Sequence, residues 1–393
     1  MRVIIAGGGT GGHLYPGIAI AEEVTSRPGG EVLFVGTARG LEAKLVPGAG
    51  YPLELLEVSG IKRTGVRGLV RGLLRLPKAF LGSRAILRRF RPDMVIGVGG
   101  YASGPIVLAA ALSGYPTAIQ EQNSRPGFTN RLLGRFVRRV FVAFEESRKY
   151  FATAKTMLSG NPVRRRFLDG RRAAAPAPGL ASKTLLIVGG SQGARAVNEL
   201  VCAMVPILAR RGPLPRIVHQ AGPGDFERTR ERYAAASVND PALDVRAYID
   251  DMPGELARAS LVIGRAGALT LAELAIVGCP AILIPLPTAA DDHQTANARE
   301  MAAAGAAVLL PQSEATANGL AELVASLLGD EARRATMGAA MAALGRPGAA
   351  RAIVDELERL APRSGAKSGS ATGSASGSAT GSATGSKSAG AMI

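Results

Sequence analysis

The sequence predicts an α/β protein built from two doubly wound parallel-sheet domains that face each other across a cleft. Three observations predict it. Short apolar, β-branched runs alternate with helical stretches at the spacing of strand–helix–strand units. A glycine-rich loop follows the first strand, and the whole pattern restarts on a second such loop near residue 189. The chain has 393 residues, enough for about two domains that each bury a core.

Taken in order, residues 3–6 read as a strand, 7–13 as a glycine loop and 16–24 as a helix, with Pro16 suited to its first turn. Strands follow at 32–35, 94–98 and 116–119, and the turn 99–104 leads into an Ala/Leu-rich helix. The second copy opens with a strand at 184–188, a loop at 189–194 and a helix at 196–209. Further strands fall at 217–220, 245–249, 261–263 and 281–284, the last closed by Pro285 and Pro287. This places an N-terminal domain at 1–160 and a C-terminal domain at 161–344, the latter holding an Ala/Pro-rich segment at 173–181. Residues 331–360 read as helical, and a helix at 345–362 is expected to rejoin the first domain. Residues 363–393 are Ser/Gly/Ala/Thr repeats with no apolar periodicity, expected to be disordered.

The formal net charge of +16 favours an anionic partner, although an Arg-rich composition carries such charge without one. Its distribution is more informative. Residues 58–92 hold ten Lys or Arg and no acid. Arg67, Arg71, Arg75 and Lys78 recur at helical spacing, with Leu69, Leu73, Leu76 and Phe80 on another face and Pro77 expected to kink or divide the element. A basic amphipathic helix suits an anionic membrane surface; the plainer reading is a solvated surface helix. No apolar run reaches the roughly 18 residues of a spanning helix, and the N-terminus turns glycine-rich too soon for a signal peptide. Cys202 and Cys279 imply no disulfide framework and fit a reducing compartment. Nucleic acid is disfavoured, since the basic residues lack interleaved aromatics or a reading motif.

The chemistry concentrates in glycine turns. The loops 7–12, 99–104 and 189–193 can each present backbone N–H groups to phosphate. Gly7, Gly9 and Gly12 fit a dinucleotide fingerprint, but no acid ends the second strand, where Val35 runs into Gly36-Thr37-Ala38-Arg39. No Lys-Ser/Thr closes a loop, which excludes a P-loop. In the stretch 261–297, Gly264 and Gly267 open a turn into a helix near Ala268. Glu273 lies about a turn inside, placed to accept from two ribose hydroxyls, and a polar cluster of Asp291, Asp292, His293, Gln294 and Asn297 follows. His13, beside the first loop, is poised to take a proton from a hydroxyl, or else to cap or pack. His219 reads as structural. No zinc spacing and no Asp-x-Asp occurs, so nucleotide-diphosphate chemistry without a metal or other cofactor is expected. Helix N-termini and an arginine such as Arg164 or Arg265 would offset the leaving charge.

Six ordered motifs carry a family resemblance: Gly-Gly-Gly-Thr-Gly-Gly-His at 7–13, Gly-Gly-Tyr-Ala-Ser-Gly-Pro at 99–105, Glu-Gln-Asn at 121–123, Gly-Asn-Pro-Val-Arg at 160–164, Gly-Gly-Ser-Gln-Gly-Ala at 189–194 and Arg-Ala-Gly-Ala-Leu-Thr at 265–270. Through them the chain resembles the bacterial MurG glycosyltransferases from residue 1 to about 360. The resemblance implies the GT-B fold of two Rossmann-like domains. It implies inverting transfer of N-acetylglucosamine from UDP-GlcNAc to the C4 hydroxyl of undecaprenyl-diphospho-MurNAc-pentapeptide (lipid I). The product is lipid II for peptidoglycan, made at the cytoplasmic face of the plasma membrane, where wall and division proteins are possible partners. It assigns donor contacts to Thr10, Gly11, Gly12, Asn123, Arg164, Ser191, Ile249, Ala268, Leu269, Thr270, Glu273 and Gln294. Acceptor contacts fall to Gly9, Tyr101 and Asn130, with the loops 7–13 and 99–104 expected to receive the acceptor diphosphate and sugar, and the general base to His13. The chain departs from the family at His293-Gln294, where relatives often carry two glutamines. The rival expectations are another UDP-sugar enzyme of this fold, a 2-epimerase or natural-product glycosyltransferase, and a non-catalytic membrane-binding module.

Overall fold

Strand side chains alternate between two buried faces, and that alternation makes each sheet the middle layer of a three-layer sandwich. The computed structural model describes residues 1–38, 40–56, 65–173, 183–236, 238 and 240–361; for 65–76 and 170–173 it describes the backbone alone. The first half runs β1 (Arg2–Ala6), α1 (Gly11–Thr25), β2 (Glu31–Gly36), α2 (Glu42–Gly48), β3 (Leu53–Leu55), α3 (Gly65–Phe90), β4 (Met94–Gly97), α4 (Ser103–Leu112), β5 (Thr117–Glu121), α5 (Phe128–Leu133), β6 (Arg139–Val142) and β7 (Thr156–Leu158). The second runs α6 (Arg165–Ala173), β8 (Thr184–Val188), α7 (Arg195–Ala209), β9 (Arg216–Gln220), α8 (Phe226–Ala235), β10 (Leu243–Arg246), α9 (Met252–Arg258), β11 (Leu261–Gly264), α10 (Ala268–Val277), β12 (Ala281–Leu283), α11 (His293–Ala303), β13 (Ala307–Leu309), α12 (Ala317–Gly329), α13 (Glu331–Ala343) and α14 (Ala349–Leu360).

Among the described residues the strand orders are β3-β2-β1-β4-β5-β6-β7 and β10-β9-β8-β11-β12-β13. All pairings are parallel. On β1, Val3 and Ile5 join a core with α1, while Ile4 and Ala6 join another beneath α3, α4 and α5. On β8, Leu185 and Ile187 pack toward α7 and α12, while Leu186 and Val188 pack toward α10.

Several expectations shift. Helix α1 begins at Gly11, not Pro16, because the Thr10 carbonyl already accepts from the His13 and Leu14 N–H groups. The strand expected near 245–249 is Leu243–Arg246. Pro77 does not divide its helix: α3 is continuous from Gly65 to Phe90. Burial of Ala79, Ile86, Leu87 and Phe90 against the sheet outweighs the roughly 3 kcal/mol an interior proline costs. The helical stretch 331–360 breaks in two, α13 ending at Ala343 and α14 starting at Ala349 rather than near 345, with Gly345 and Pro347 in the break. The side chains of Arg67, Arg71, Arg75, Leu69, Leu73 and Leu76, residues 174–181 of the Ala/Pro-rich segment and the terminal repeats lie outside the described residues.

The last helix returns to the first half. Ile353, Val354 and Leu357 of α14 are fully buried beside Val3, Ile5, Leu14 and Phe34. Arg27 of α1 meets Asp355 at 2.6 Å and Glu358 at 2.7 Å. Gly160 (φ +82) admits this return, because a Cβ there would lie 2.4 Å from Arg346 Cβ. Such partly exposed ion pairs add little, so the apolar face carries the attachment. Leu357→Ala should lower unfolding stability by about 2–5 kcal/mol in denaturant titration; a loss below about 0.5 kcal/mol would mean that α14 does not belong to this core.

Candidate functional site

Strand order reverses between β1 and β4 in one sheet and between β8 and β11 in the other. In open parallel sheets the crevice at the carboxyl ends of such strands takes ligands. The four glycine-bearing turns leave these four strands, ending at α1, α4, α7 and α10. None of these four helices has a side-chain N-cap bond or an acid in its first turn. By contrast, α9, α12 and α13 are capped by Asp251, Thr316 and Asp330. Unpartnered N–H groups and the positive end of the helix dipole therefore collect at the two reversal points.

The halves meet through specific groups. Asn297 of α11, fully buried, donates to Asn123 Oδ1 at 3.2 Å and to the Ala266 carbonyl at 3.1 Å. Its Oδ1 accepts the Ser124 N–H at 2.8 Å, and the Ser124 hydroxyl donates to the Glu300 carboxylate. The Arg164 guanidinium lies 4.0 Å from the Tyr15 ring of α1, with Nη2 3.4 Å from Glu273 Oε1 of α10.

The first glycine turn is tightly fixed. Gly7 donates to the Val35 carbonyl at 3.1 Å, Gly8 to the Gly99 carbonyl at 3.3 Å and Gly9 to Glu42 Oε2 at 2.8 Å. The N–H groups of Thr10, Gly11 and Gly12 have no partner among the described residues and stand at the head of α1. The Gly9 N–H, expected to serve the acceptor, is instead taken up by Glu42. Thr10 Oγ1 hydrogen-bonds His13 Nδ1 at 3.1 Å. The second turn packs on the imidazole, since a Cβ at Gly99 (φ +96) would lie 2.5 Å from His13 Cδ2. Burial, then the nearby His293, push the His13 pKa down to about 4, against the Gly8 backbone and Glu42. The ring is thus neutral at pH 7 and able to accept a proton.

Tyr101 is exposed at the second turn. Asn130 is not: it is buried and donates to Glu121 Oε2 at 2.9 Å and the Gln120 carbonyl at 3.2 Å. Glu121 also accepts the N–H groups of Asn123 at 3.0 Å and Gly127 at 3.2 Å. Asn130 thus lies beneath the loop that carries Asn123, its amide N–H groups spent on Gln120 and Glu121 and its buried Oδ1 without a partner among the described residues.

In the second half Ser191 is exposed at the turn before α7. Ile249 is buried, its N–H donating to Gln220 Oε1 at 2.9 Å, and Gln220 Nε2 donates to the Gly190 carbonyl at 3.0 Å. Ala268, Leu269 and Thr270 form the first turn of α10. Burial raises the Glu273 pKa to about 7, against the opposing charges of Arg164 and Arg166. Gln294 Oε1 accepts the Leu286 N–H at 3.0 Å, which leaves its amide N–H groups to face outward. His293 Nδ1 donates to the Ala290 carbonyl at 2.6 Å. Arg265 does not face the crevice as expected. It is buried and donates to the Ile284, Pro285 and Gln312 oxygens at 3.0, 2.9 and 2.8 Å, so it braces the loop after β12. Glu42, Glu121, Gln220 and Tyr15 were not singled out from sequence; only the Glu-Gln-Asn motif hinted at Glu121. Among the described residues no group of three His, Cys, Asp or Glu side chains is arranged to hold a metal ion.

Comparison with known proteins gives the same two halves. Residues 3–142 match the glycosyltransferase family 28 N-terminal domain, and residues 184–353 match the glycosyltransferase family 28 C-terminal domain. A UDP-N-acetylglucosamine--N-acetylmuramyl-(pentapeptide) pyrophosphoryl-undecaprenol N-acetylglucosamine transferase from Anaeromyxobacter dehalogenans is 49% identical over 364 residues, covering 92% of this chain and 94% of its own. The protein of that name from Myxococcus xanthus is 49% identical over 356 residues, covering 90% and 92%. Among solved structures, MurG from Acinetobacter baumannii superposes with a TM-score of 0.74 at 32% identity, covering 91% of this chain and 99% of its own. UDP-GlcNAc 2-epimerase from Neisseria meningitidis, at TM-score 0.66 and 15% identity over 91% of this chain and all of its own (100%), shares the fold alone. Each parallel-sheet half answers to its own half of one family model, in order and nearly end to end: the chain is a GT-B protein and belongs to glycosyltransferase family 28.

Proposed function

We propose that this chain transfers N-acetylglucosamine from UDP-GlcNAc to the C4 hydroxyl of lipid I, with inversion, to give lipid II for peptidoglycan. The observation that carries the reading is the pair of reversal points brought together across Tyr15, Arg164 and Glu273. Relatives about half identical over nine-tenths of the chain, which bear the name of that reaction, support it.

The donor belongs to the second half. The heads of α7 and α10 and the Arg164 guanidinium hold its diphosphate, with Ser191 and residues 268–270 closest. Glu273 takes the ribose hydroxyls, Ile249 borders the uracil through its backbone, and Gln294 and Asn123 address the sugar. The acceptor diphosphate and sugar lie against the heads of α1 and α4, near Tyr101, so the Thr10, Gly11 and Gly12 N–H groups, expected from sequence to touch the donor, serve the acceptor in this reading. Neutral His13 takes the C4 hydroxyl proton as that oxygen bonds to the anomeric carbon. The bond from the anomeric carbon to the β-phosphate oxygen breaks, and its electron pair departs on UDP among fixed dipoles. The charge is neutralised by the chain's own groups, without a divalent cation.

No helix among the described residues is long and apolar enough to cross a membrane. The acceptor's lipid instead fits a surface of α3, α4 and α5, which neighbour one another on one face of the first sheet. Leu81, Leu112, Phe128, Leu132 and Phe136 are exposed there among exposed Arg84, Arg88, Arg131 and Arg135. Apolar side chains rimmed by cations suit an anionic leaflet, here the cytoplasmic face of the plasma membrane.

Three outcomes follow for measurement. UDP-GlcNAc affinity, read by calorimetry, should rise as pH climbs through about 7 and Glu273 ionises. Glu273→Gln should flatten that dependence and weaken binding roughly tenfold to hundredfold; an unaltered affinity rules out the ribose role. His13→Ala should lower kcat by about 10²–10⁴-fold. The wild-type kcat should hold from neutral pH downward and fall as pH nears about 4, where the protonated ring can no longer accept. The same profile should appear in EDTA, and retention of kcat within about threefold in His13→Ala would remove the base assignment. Leu81→Asp with Phe128→Asp should abolish sedimentation with vesicles containing phosphatidylglycerol while soluble UDP binding persists; unchanged sedimentation would locate the lipid elsewhere.

A further inference from the structure

The second strand ends without an acid, yet a carboxylate stands under the first glycine turn. Glu42, at the start of α2, is 1% exposed. Its Oε2 accepts the Gly9 N–H at 2.8 Å. Its Oε1 accepts the Thr37 N–H at 2.8 Å and the Thr37 hydroxyl at 2.7 Å. Glycines from three segments make room for it. A Cβ at Gly8 would lie 2.3 Å from Glu42 Cδ, at Gly36 2.5 Å from Cγ, and at Gly40 2.0 Å from Oε2. The first turn has no side chain of its own before Thr10, and Gly8 (φ +153) and Gly9 (φ +86) are free to take many other conformations. Two of its N–H groups bond to backbone, to Val35 and Gly99, and the third bonds to this carboxylate.

We propose that Glu42 is a positioning residue for the transfer, clamping the glycine turn so that the Thr10, Gly11 and Gly12 N–H groups and His13 face the acceptor. The inference rests on the acceptor reading given above. By taking the Gly9 N–H, the carboxylate confines an incoming anion to the head of α1. It also fixes where α1 begins, and hence where His13 stands relative to the second turn. Burial by itself would raise the Glu42 pKa, but the bonds from Gly9 and Thr37 outweigh it, so the group stays ionised. Its charge acts on His13 in the direction that favours a protonated ring, against burial.

Glu42→Gln keeps the size but leaves one acceptor oxygen for donors on two sides, so one end of the clamp must open. Its kcat should fall about tenfold to hundredfold, the scale expected of a misplacement near 1 Å. The acceptor KM should rise, UDP affinity should stay within about twofold, and the acid limb of the kcat profile should move to lower pH. Thr37→Val, which loses the hydroxyl bond alone, should show a milder fall in kcat at unchanged UDP affinity, so the clamp remains testable if Glu42→Gln folds poorly. In a double variant with His13→Ala, Glu42→Gln should add no further loss of kcat. Rates within about twofold of wild type in both single variants would overturn the proposal, as would UDP affinity falling in step with kcat. Full activity in His13→Ala would overturn the base assignment only; a raised acceptor KM in Glu42→Gln would then still support the clamp, and an unchanged one would overturn it.

Discussion

A parallel strand hands its chain to a helix whose first N–H groups have no backbone partner. Everything at this site depends on where those orphan donors are left open. Side chains cap α9, α12 and α13, and nothing caps α1, α4, α7 or α10. Helices α2, α5, α8, α11 and α14 also lack a side-chain cap, but only α1, α4, α7 and α10 follow the strands at the two order reversals. A cap is worth about 1 kcal/mol of helix stability. Its absence at four related positions leaves open N–H groups and positive helix ends on both walls of one crevice.

Buried carboxylates shape the turns around those donors, and each does so differently. Glu42 holds a loop that has almost no side chains. Glu121 draws Asn123, Gly127 and Asn130 onto itself and so sets the loop that reaches the second half. Glu273 has no backbone donors of this kind; it is paired with Arg164 and left with a raised pKa. The first two are satisfied by the protein itself, whereas the third keeps its acceptor capacity for something else. Arg265 is the cationic counterpart of the first two: its donors go to the Ile284 and Pro285 carbonyls of a proline-bearing loop.

The continuous apolar runs made the two sheets legible, because a strand buried on both faces must be apolar throughout and β-branched side chains favour it. The six motifs, five of them bearing glycine, made the crevice legible, and the turns after β1, β4, β8 and β11 lie where they point. Helix starts were less so: glycine at 11 and 12 reads as loop, but the tertiary setting winds it into α1. Pro77 misled for the same reason, since local propensity does not register what the sheet buries. The roles of Glu42 and Asn130 were hidden because burial decides them. An exposed and a buried carboxylate look alike in sequence, and only the cleared space at Gly8, Gly36 and Gly40 distinguishes this one. Arg265 sits in a motif that also supplies site residues, and spacing alone cannot say which member turns inward.

The contact among Tyr15, Arg164 and Glu273 joins these threads. Arg164 stacks on an aromatic ring of the first half while its Nη2 approaches a carboxylate of the second. Its Nε is buried and has no partner. A guanidinium has donors enough for a carboxylate and a phosphate only if they lie on different edges of its plane. Stacking on Tyr15 fixes that plane, so the first half determines which edge of the guanidinium stays open beside Glu273. The orientation of Arg164 is thereby tied to α1, the same helix whose head holds the open N–H groups and whose first turns carry His13. One aromatic ring thus links the guanidinium beside Glu273 in the second half to the helix that carries His13 in the first.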